Sequence, residues 1–174
     1  MENAKPTDRL LQMQPILTRF NYKRYWIWLK RFRHRKGYGV HSPFAFDFIT
    51  HIIYNKVSPE IRKRLYAEAI KAKRSEPRRV IELLYRLEQE ASPFVYVNRP
   101  DDPIYINKVY DEQAASMPAK GMFVVYGIYQ NQGMKEVWQQ LIQDGRSGIT
   151  FDLYELGIIL FDRNITKQDY IVNF

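Results

Sequence analysis

Two short stretches hold the side chains best suited to touching a ligand. They are Asn98-Arg99-Pro100-Asp101-Asp102 and Tyr126-Gly127-Ile128-Tyr129-Gln130. Each follows a run of β-forming residues, and ligands of open α/β sheets collect at the carboxyl ends of strands. Asn98, Asp101, Asp102, Tyr126 and Tyr129 are therefore the strand-end binding candidates. Asp101 and Asp102 could hold a cation as a carboxylate pair, but a helix N-cap with a favourable macrodipole charge is the simpler assignment. Asp152 sits inside another strand pattern, where it could face a cleft, although alternation favours a solvent-facing position.

Other chemistries lack their residues. With no cysteine, the chain has no thiolate zinc site, disulfide framework or cysteine nucleophile. His34, His41 and His51 show neither H-x3-H nor HExxH spacing, so surface or capping roles fit them better than metal ligation. Phosphate cradles need glycines just after a strand, so that backbone N–H groups can close on the ligand. After Asn98 come two prolines and no glycine, and after Val125 a single glycine. Neither GxGxxG nor GxxxxGK[ST] occurs, and no nucleophile elbow supports a Ser-His-Asp set. No catalytic residue and no metal ligand is assigned.

Charge is segregated. The formal net charge is +8. The excess belongs to the first forty residues, which carry Lys5, Arg9, Arg19, Lys23, Arg24, Lys30, Arg31, Arg33, Arg35 and Lys36 against Glu2 and Asp8. Such an arrangement suggests an anionic neighbour: nucleic acid, lipid headgroups, or an acidic face of the same protein. From about Asn21 to Lys36 a helical period puts Tyr22, Tyr25, Trp26, Trp28, Leu29 and Phe32 on one side. Lys23, Arg24, Lys30, Arg31 and Arg35 fall on the other. With Lys36, these basic residues are the candidates for an anionic partner. The aromatic face suits core packing, a membrane-surface helix or base stacking. The separation of the two faces favours packing over stacking, since single-strand stacking wants both chemistries on one surface.

The elements that must position these residues fall into two halves within one expected domain, 1–174. Residues 1–90 read as helix: a segment from Thr7-Asp8 interrupted at Pro15, then the basic helix stopped by Gly37 and Gly39. Helices follow from Ser42-Pro43 to about Tyr54, from Ser58-Pro59 to about Arg74, and from Ser75–Pro77 onward. Residues 91–174 change period. Strands are expected at 94–98, 121–127, 148–154 and 157–163, the last two as a hairpin turning at Glu155-Leu156, with a further one possible at 169–174. Helices are expected from Asp102-Pro103 to about Met117 and from Gly133 to Gln143. The fold class is thus α/β, a helical N-terminal half followed by a reduced sheet of about four strands ending in an antiparallel hairpin. No run of eighteen apolar residues and no signal-peptide pattern occurs. With the lack of cysteine, this points to a cytoplasmic protein.

Two stretches resemble a known family. "RHRKGYGVHSPFAFDFI" (33–49) resembles the N-terminal signature of a bacterial group of class I S-adenosylmethionine-dependent methyltransferase-like proteins. "GMFVVYGIYQNQGMKEVWQQLIQDGRSGITFDLYELGIILFDR" (121–163) is similar to the last third of the same group, as is the closing "KQDYIVNF" (167–174). The resemblance implies a Rossmann-like sheet, with "FVYVN" in the place of the family's fourth strand. It also implies that the segment holding the first three strands, with the acidic-glycine cofactor loop and the ribose carboxylate, is missing. The family's strand-end acids would fall near Asn98 and at Tyr126-Gly127, which are not acidic.

The implied reading is a non-catalytic methyltransferase-like remnant, a pseudoenzyme acting as a binding or assembly module with no cofactor. One alternative is an S-adenosylmethionine-dependent methyltransferase with a divergent strand-end site. Another is a membrane-surface or nucleic-acid accessory protein using the basic helix. The remaining strand order would be fourth, fifth, seventh, sixth. The fourth strand then becomes an edge, to be covered by the N-terminal helices or by a second copy in a two-fold homodimer.

Overall fold

A computed structural model describes residues 26, 27, 29–32, 40–162 and 164–174. Contacts divide the chain into two compact units, Met1–Lys30 and Arg31–Phe174. In the first, Trp26, Ile27, Leu29 and Lys30 are helical, and Trp26, Leu29 and Lys30 are exposed. The expected segment from Thr7, the glycine stop at 37–39, and Lys23, Arg24, Arg35 and Lys36 lie outside the described residues.

Three helices of the second unit begin where a small polar residue precedes proline. Ser42 Oγ accepts from Ala45 N at 3.3 Å and opens α1, Pro43–Asp47. Ser58 Oγ accepts from Ile61 N at 3.4 Å and opens α2, Pro59–Lys71. Asp102 Oδ1 accepts from Tyr105 N at 3.0 Å and opens α4, Pro103–Ala114. In each, proline fills a first-turn position whose N–H has no intrahelical partner. α3, Arg78–Glu90, follows Pro77 and buries Val80, Ile81, Leu83, Leu84 and Leu87. α5, Gln132–Gln143, is capped by Asn131, whose Oδ1 accepts from Met134 N at 2.8 Å.

One expected helix differs in kind. The run from Pro43 does not stay α-helical to Tyr54; Phe48–Ile53 is π-helical. Thr50 Oγ1 donates to Phe46 O at 2.9 Å and to Asp47 O at 3.2 Å. The hydroxyl thus takes carbonyls that an α-helix would give to backbone amides.

The sheet has five strands: β1 Phe94–Val97, β2 Met122–Tyr126, β3 Ile149–Asp152, β4 Leu156–Leu160 and β5 Gln168–Ile171. Their order is β1-β2-β4-β3-β5. β1 and β2 are parallel, β4 is antiparallel to both β2 and β3, and β5 is parallel to β3. The first four follow the order expected from the sequence. The estimate of about four strands falls short by one, because β5, a short half-exposed strand, pairs beside β3. The hairpin turn also moves. Leu156 pairs with Tyr126 as the first residue of β4 and is fully buried, so the loop is Leu153–Glu155. Tyr154 in that loop takes a left-handed φ of 71°.

The sheet is covered on both faces. The helices before β1 bury Phe48, Ile49, Ile53, Leu83 and Leu87 against Met122, Val124, Phe151 and Ile158. α4 and α5 bury Ile106, Tyr110, Met134 and Trp138 against Phe123, Val125 and Ile159. This is why β2 and β4 read as continuous apolar runs rather than alternating ones. Among the described residues no helix is long and apolar enough to cross a membrane.

Among the described residues β1 pairs on one side only. Pro93 O accepts from Met122 N, so Pro93, Val95 and Val97 turn their backbone groups toward β2. Phe94 and Tyr96, with opposite parity, turn theirs outward. Beside this edge runs a groove of about 640 Å³, walled by Leu65 and Ala69 of α2, by Leu84 of α3, and by Phe94 and Tyr96. Among the described residues, α2 and α3 wall this groove without filling it.

Candidate functional site

Parallel pairing brings the carboxyl ends of β1, β2 and β3 to one end of the sheet. A cleft of about 560 Å³ opens there, lined by Ser75, Asn98, Arg99, Pro100, Asp101, Asp102, Tyr126 and Gln130. It gathers four of the five strand-end candidates. The fifth, Tyr129, lines a smaller cavity of about 130 Å³ with Tyr126, Gly127, Gln130, Tyr154 and Glu155. Tyr126 and Gln130 are common to both.

The two loops are held close together. Gly127 has φ +78°, and a Cβ there would lie 2.7 Å from Pro100 Cβ, so only glycine fits on both counts. Asn131 Nδ2 donates to Pro100 O at 2.8 Å, and Gly127 N donates to Glu155 O at 2.7 Å. Within the cleft, Asp102 is engaged as the α4 N-cap, as its sequence position suggests, while Asn98 and Asp101 are exposed. The Arg99 guanidinium lies 4.3 Å over the Tyr105 ring. A cleft with one aromatic and several polar walls suits a small polar ligand better than an apolar one.

Beside Tyr129 sits a buried polar cluster. Asp152, the last residue of β3, is only 5% exposed. The expectation that alternation turns it to solvent is corrected, and Arg31 supplies the reason. Arg31 Nη1 donates to Asp152 Oδ1 at 2.8 Å and Nη2 to Oδ2 at 3.2 Å. Tyr154 N adds a bond to Oδ1 at 2.9 Å and the Tyr129 hydroxyl one to Oδ2 at 2.6 Å. The four donors fill the roughly four lone-pair sites of a carboxylate. The Arg31 carbon Cζ lies 5.4 Å from the Tyr129 ring centre and 5.5 Å from that of Tyr154, and the two rings stack on each other. Burial, then the hydrogen bond to Asp152 and its charge, pushes the Tyr129 hydroxyl up to about 12, against the opposing charge of Arg31. Tyr129 is therefore a neutral donor at ordinary pH.

This geometry gives Arg31 an anionic partner within the chain itself, the Asp152 carboxylate. Its guanidinium is spent on Asp152, with its side chain 14% exposed. Lys30 remains exposed. Phe32, placed on the apolar face by its spacing, is also exposed at 49%. His51 is a surface residue paired with Asp47 Oδ1 at 2.8 Å, and His41 is exposed. Among the described residues no group of three or more His, Cys, Asp or Glu could hold a metal.

Neither Asp152 nor Tyr154 stands out in the sequence as a member of a site. The available signal is an acidic residue closing an apolar strand, followed two positions later by an aromatic. The partner that completes the cluster is 121 residues away. No protein-family model, curated protein or solved structure matches the chain.

Proposed function

We propose that this chain is a non-catalytic methyltransferase-like module that works by binding and assembly. The observation that carries the reading is the position of β1. Among the described residues it stands at the sheet edge, beside a groove walled by α2, α3, Phe94 and Tyr96. In the order that the resemblance implies, the position beyond β1 belongs to the first strand, whose loop holds the cofactor. The strand end of β3 supports the same reading, because the Asp152 carboxylate is filled by four donors of the chain itself.

The assembly partner in this reading is a second copy. β1 carries no charge and no proline, the usual guards of an open edge. Its outward groups are those of Phe94 and Tyr96. A two-fold antiparallel pairing centred on Val95 matches Phe94 of one copy with Tyr96 of the other, twice over.

The test is calorimetric titration of the folded protein with S-adenosylmethionine and S-adenosylhomocysteine. No heat at high protein concentration is the expected result. Micromolar binding would sink the reading and favour the second one, a divergent cofactor site. One observation favours that alternative: the cleft at the carboxyl ends of β1 and β2, where Asn98, Asp101 and Tyr126 meet.

A further inference from the structure

The cluster around Asp152 combines three features that together select one chemical group. The carboxylate is nearly buried, at 5% exposure, and offers two oxygens side by side. Two of its four acceptor positions are already taken from within the sheet's own loops, by Tyr129 Oη and Tyr154 N. The remaining two face the same direction and take two parallel N–H donors. The stacked rings of Tyr129 and Tyr154 flank that opening at matching distances from the incoming carbon. The Asp152 carbonyl adds a further acceptor, at 3.2 Å from Arg31 Nη1. A planar cation with a fork of N–H groups satisfies all of these at once. A compact ammonium would reach one oxygen and leave the other unfilled.

We propose that Asp152, Tyr129 and Tyr154 form a guanidinium-binding seat at the carboxyl end of β3, which the chain fills with its own Arg31. The seat acts as a latch. It holds the chain at residue 31 against the strand end and leaves no acceptor of the Asp152 carboxylate to another cation. The left-handed backbone at Tyr154 belongs to this device, since it aims the Tyr154 N–H at Oδ1 while the ring stacks on Tyr129. The inference is independent of the methyltransferase-like reading, because it rests on the seat alone.

The experiment is chemical rescue in the full chain. Arg31→Ala empties the seat, and millimolar methylguanidinium is then added as the probe, with ammonium at equal ionic strength as the control. The expected result is a lowered Tm in Arg31→Ala that methylguanidinium raises saturably and ammonium does not. The parent protein, with its seat filled, shows no such rise. Neither does Arg31→Ala combined with Asp152→Asn. Should Arg31→Ala fail to fold, the readout becomes recovery of its near-ultraviolet circular dichroism on adding methylguanidinium, and no recovery overturns the proposal. It is equally overturned if Arg31→Ala melts with the parent, if ammonium rescues as well, or if the double variant responds to methylguanidinium.

Discussion

Trp138 lies across Gly157. A Cβ at position 157 would come within 2.4 Å of Trp138 Cζ3 and 2.5 Å of Cη2. The glycine is in β4, between Val125 of β2 and Asp152 of β3, so the strand is held from both sides. Gly157→Ala should therefore destabilise the protein by about 1–3 kcal/mol through overpacking. Urea unfolding checks this. An unchanged midpoint would mean that α5 shifts without cost.

Arg31→Ala should be the more severe change. It leaves the Asp152 carboxylate buried without its ionic partner, which costs about 3–5 kcal/mol. Removing both groups, in Arg31→Ala with Asp152→Asn, should cost less than the two single losses added together. A double-mutant cycle by denaturant unfolding measures the coupling, and simple additivity would contradict the geometry.

Tyr129 predicts an alkaline effect. Its folded-state pKa is raised from 10.0 to about 12. The stability it contributes is thus complete below pH 10 and lost as pH rises through about 12. The stability difference between the parent and Tyr129→Phe should stay level up to pH 10 and then shrink. Thermal melts across that range give the comparison.

Glu76 predicts the opposite, acid-side effect. Burial raises its carboxyl, but hydrogen bonds from Arg74, Tyr96 and its own backbone together outweigh burial and bring it down to about 2 from 4.5. Its contribution is present above the ordinary carboxylate value and disappears as pH falls through about 2. Against Glu76→Gln, the parent's advantage should fade over that interval. A difference that persists undiminished below pH 2 would show that the carboxylate charge contributes nothing.

Assembly through β1 gives a hydrodynamic prediction. The protein should sediment as a dimer at high concentration and dissociate on dilution, as a two-fold edge pairing requires. A parent protein that is monomeric at every concentration would rule out the β1 pairing.

Much of the fold is legible in local sequence. Ser42-Pro43, Ser58-Pro59 and Asp102-Pro103 mark helix starts because the cap and the proline act within one turn. The apolar run Met122–Tyr126 marks a strand because burial on both faces removes alternation. What is illegible depends on distant partners. Asp152 looks like a solvent-facing strand residue until Arg31 arrives, and Glu76 looks like a loop carboxylate until Arg74 and Tyr96 enclose it. The π-helical turn at Phe48–Ile53 carries no mark in the local pattern, which reads as an ordinary helix. The strand-end candidates were legible as a group, since two loops following two parallel strands must meet. How the chain fills its own Asp152 site was not.

The same long reach governs how this molecule must be made. The contacts that join its early and late residues span large stretches of chain: 121 residues for Arg31 with Asp152, 119 for the Tyr54 hydroxyl with Asn173 O, and 95 for Arg79 with Phe174 O. Each closes a loop whose entropy must be surrendered before the contact returns anything. The apolar faces of α3 and the π-helical turn have no sheet to cover until β2, β3 and β4 are in place. A chain that depends on such distant closures is expected to fold more slowly than one built from local contacts. A chaperone or a low temperature during synthesis should then raise the yield of this protein.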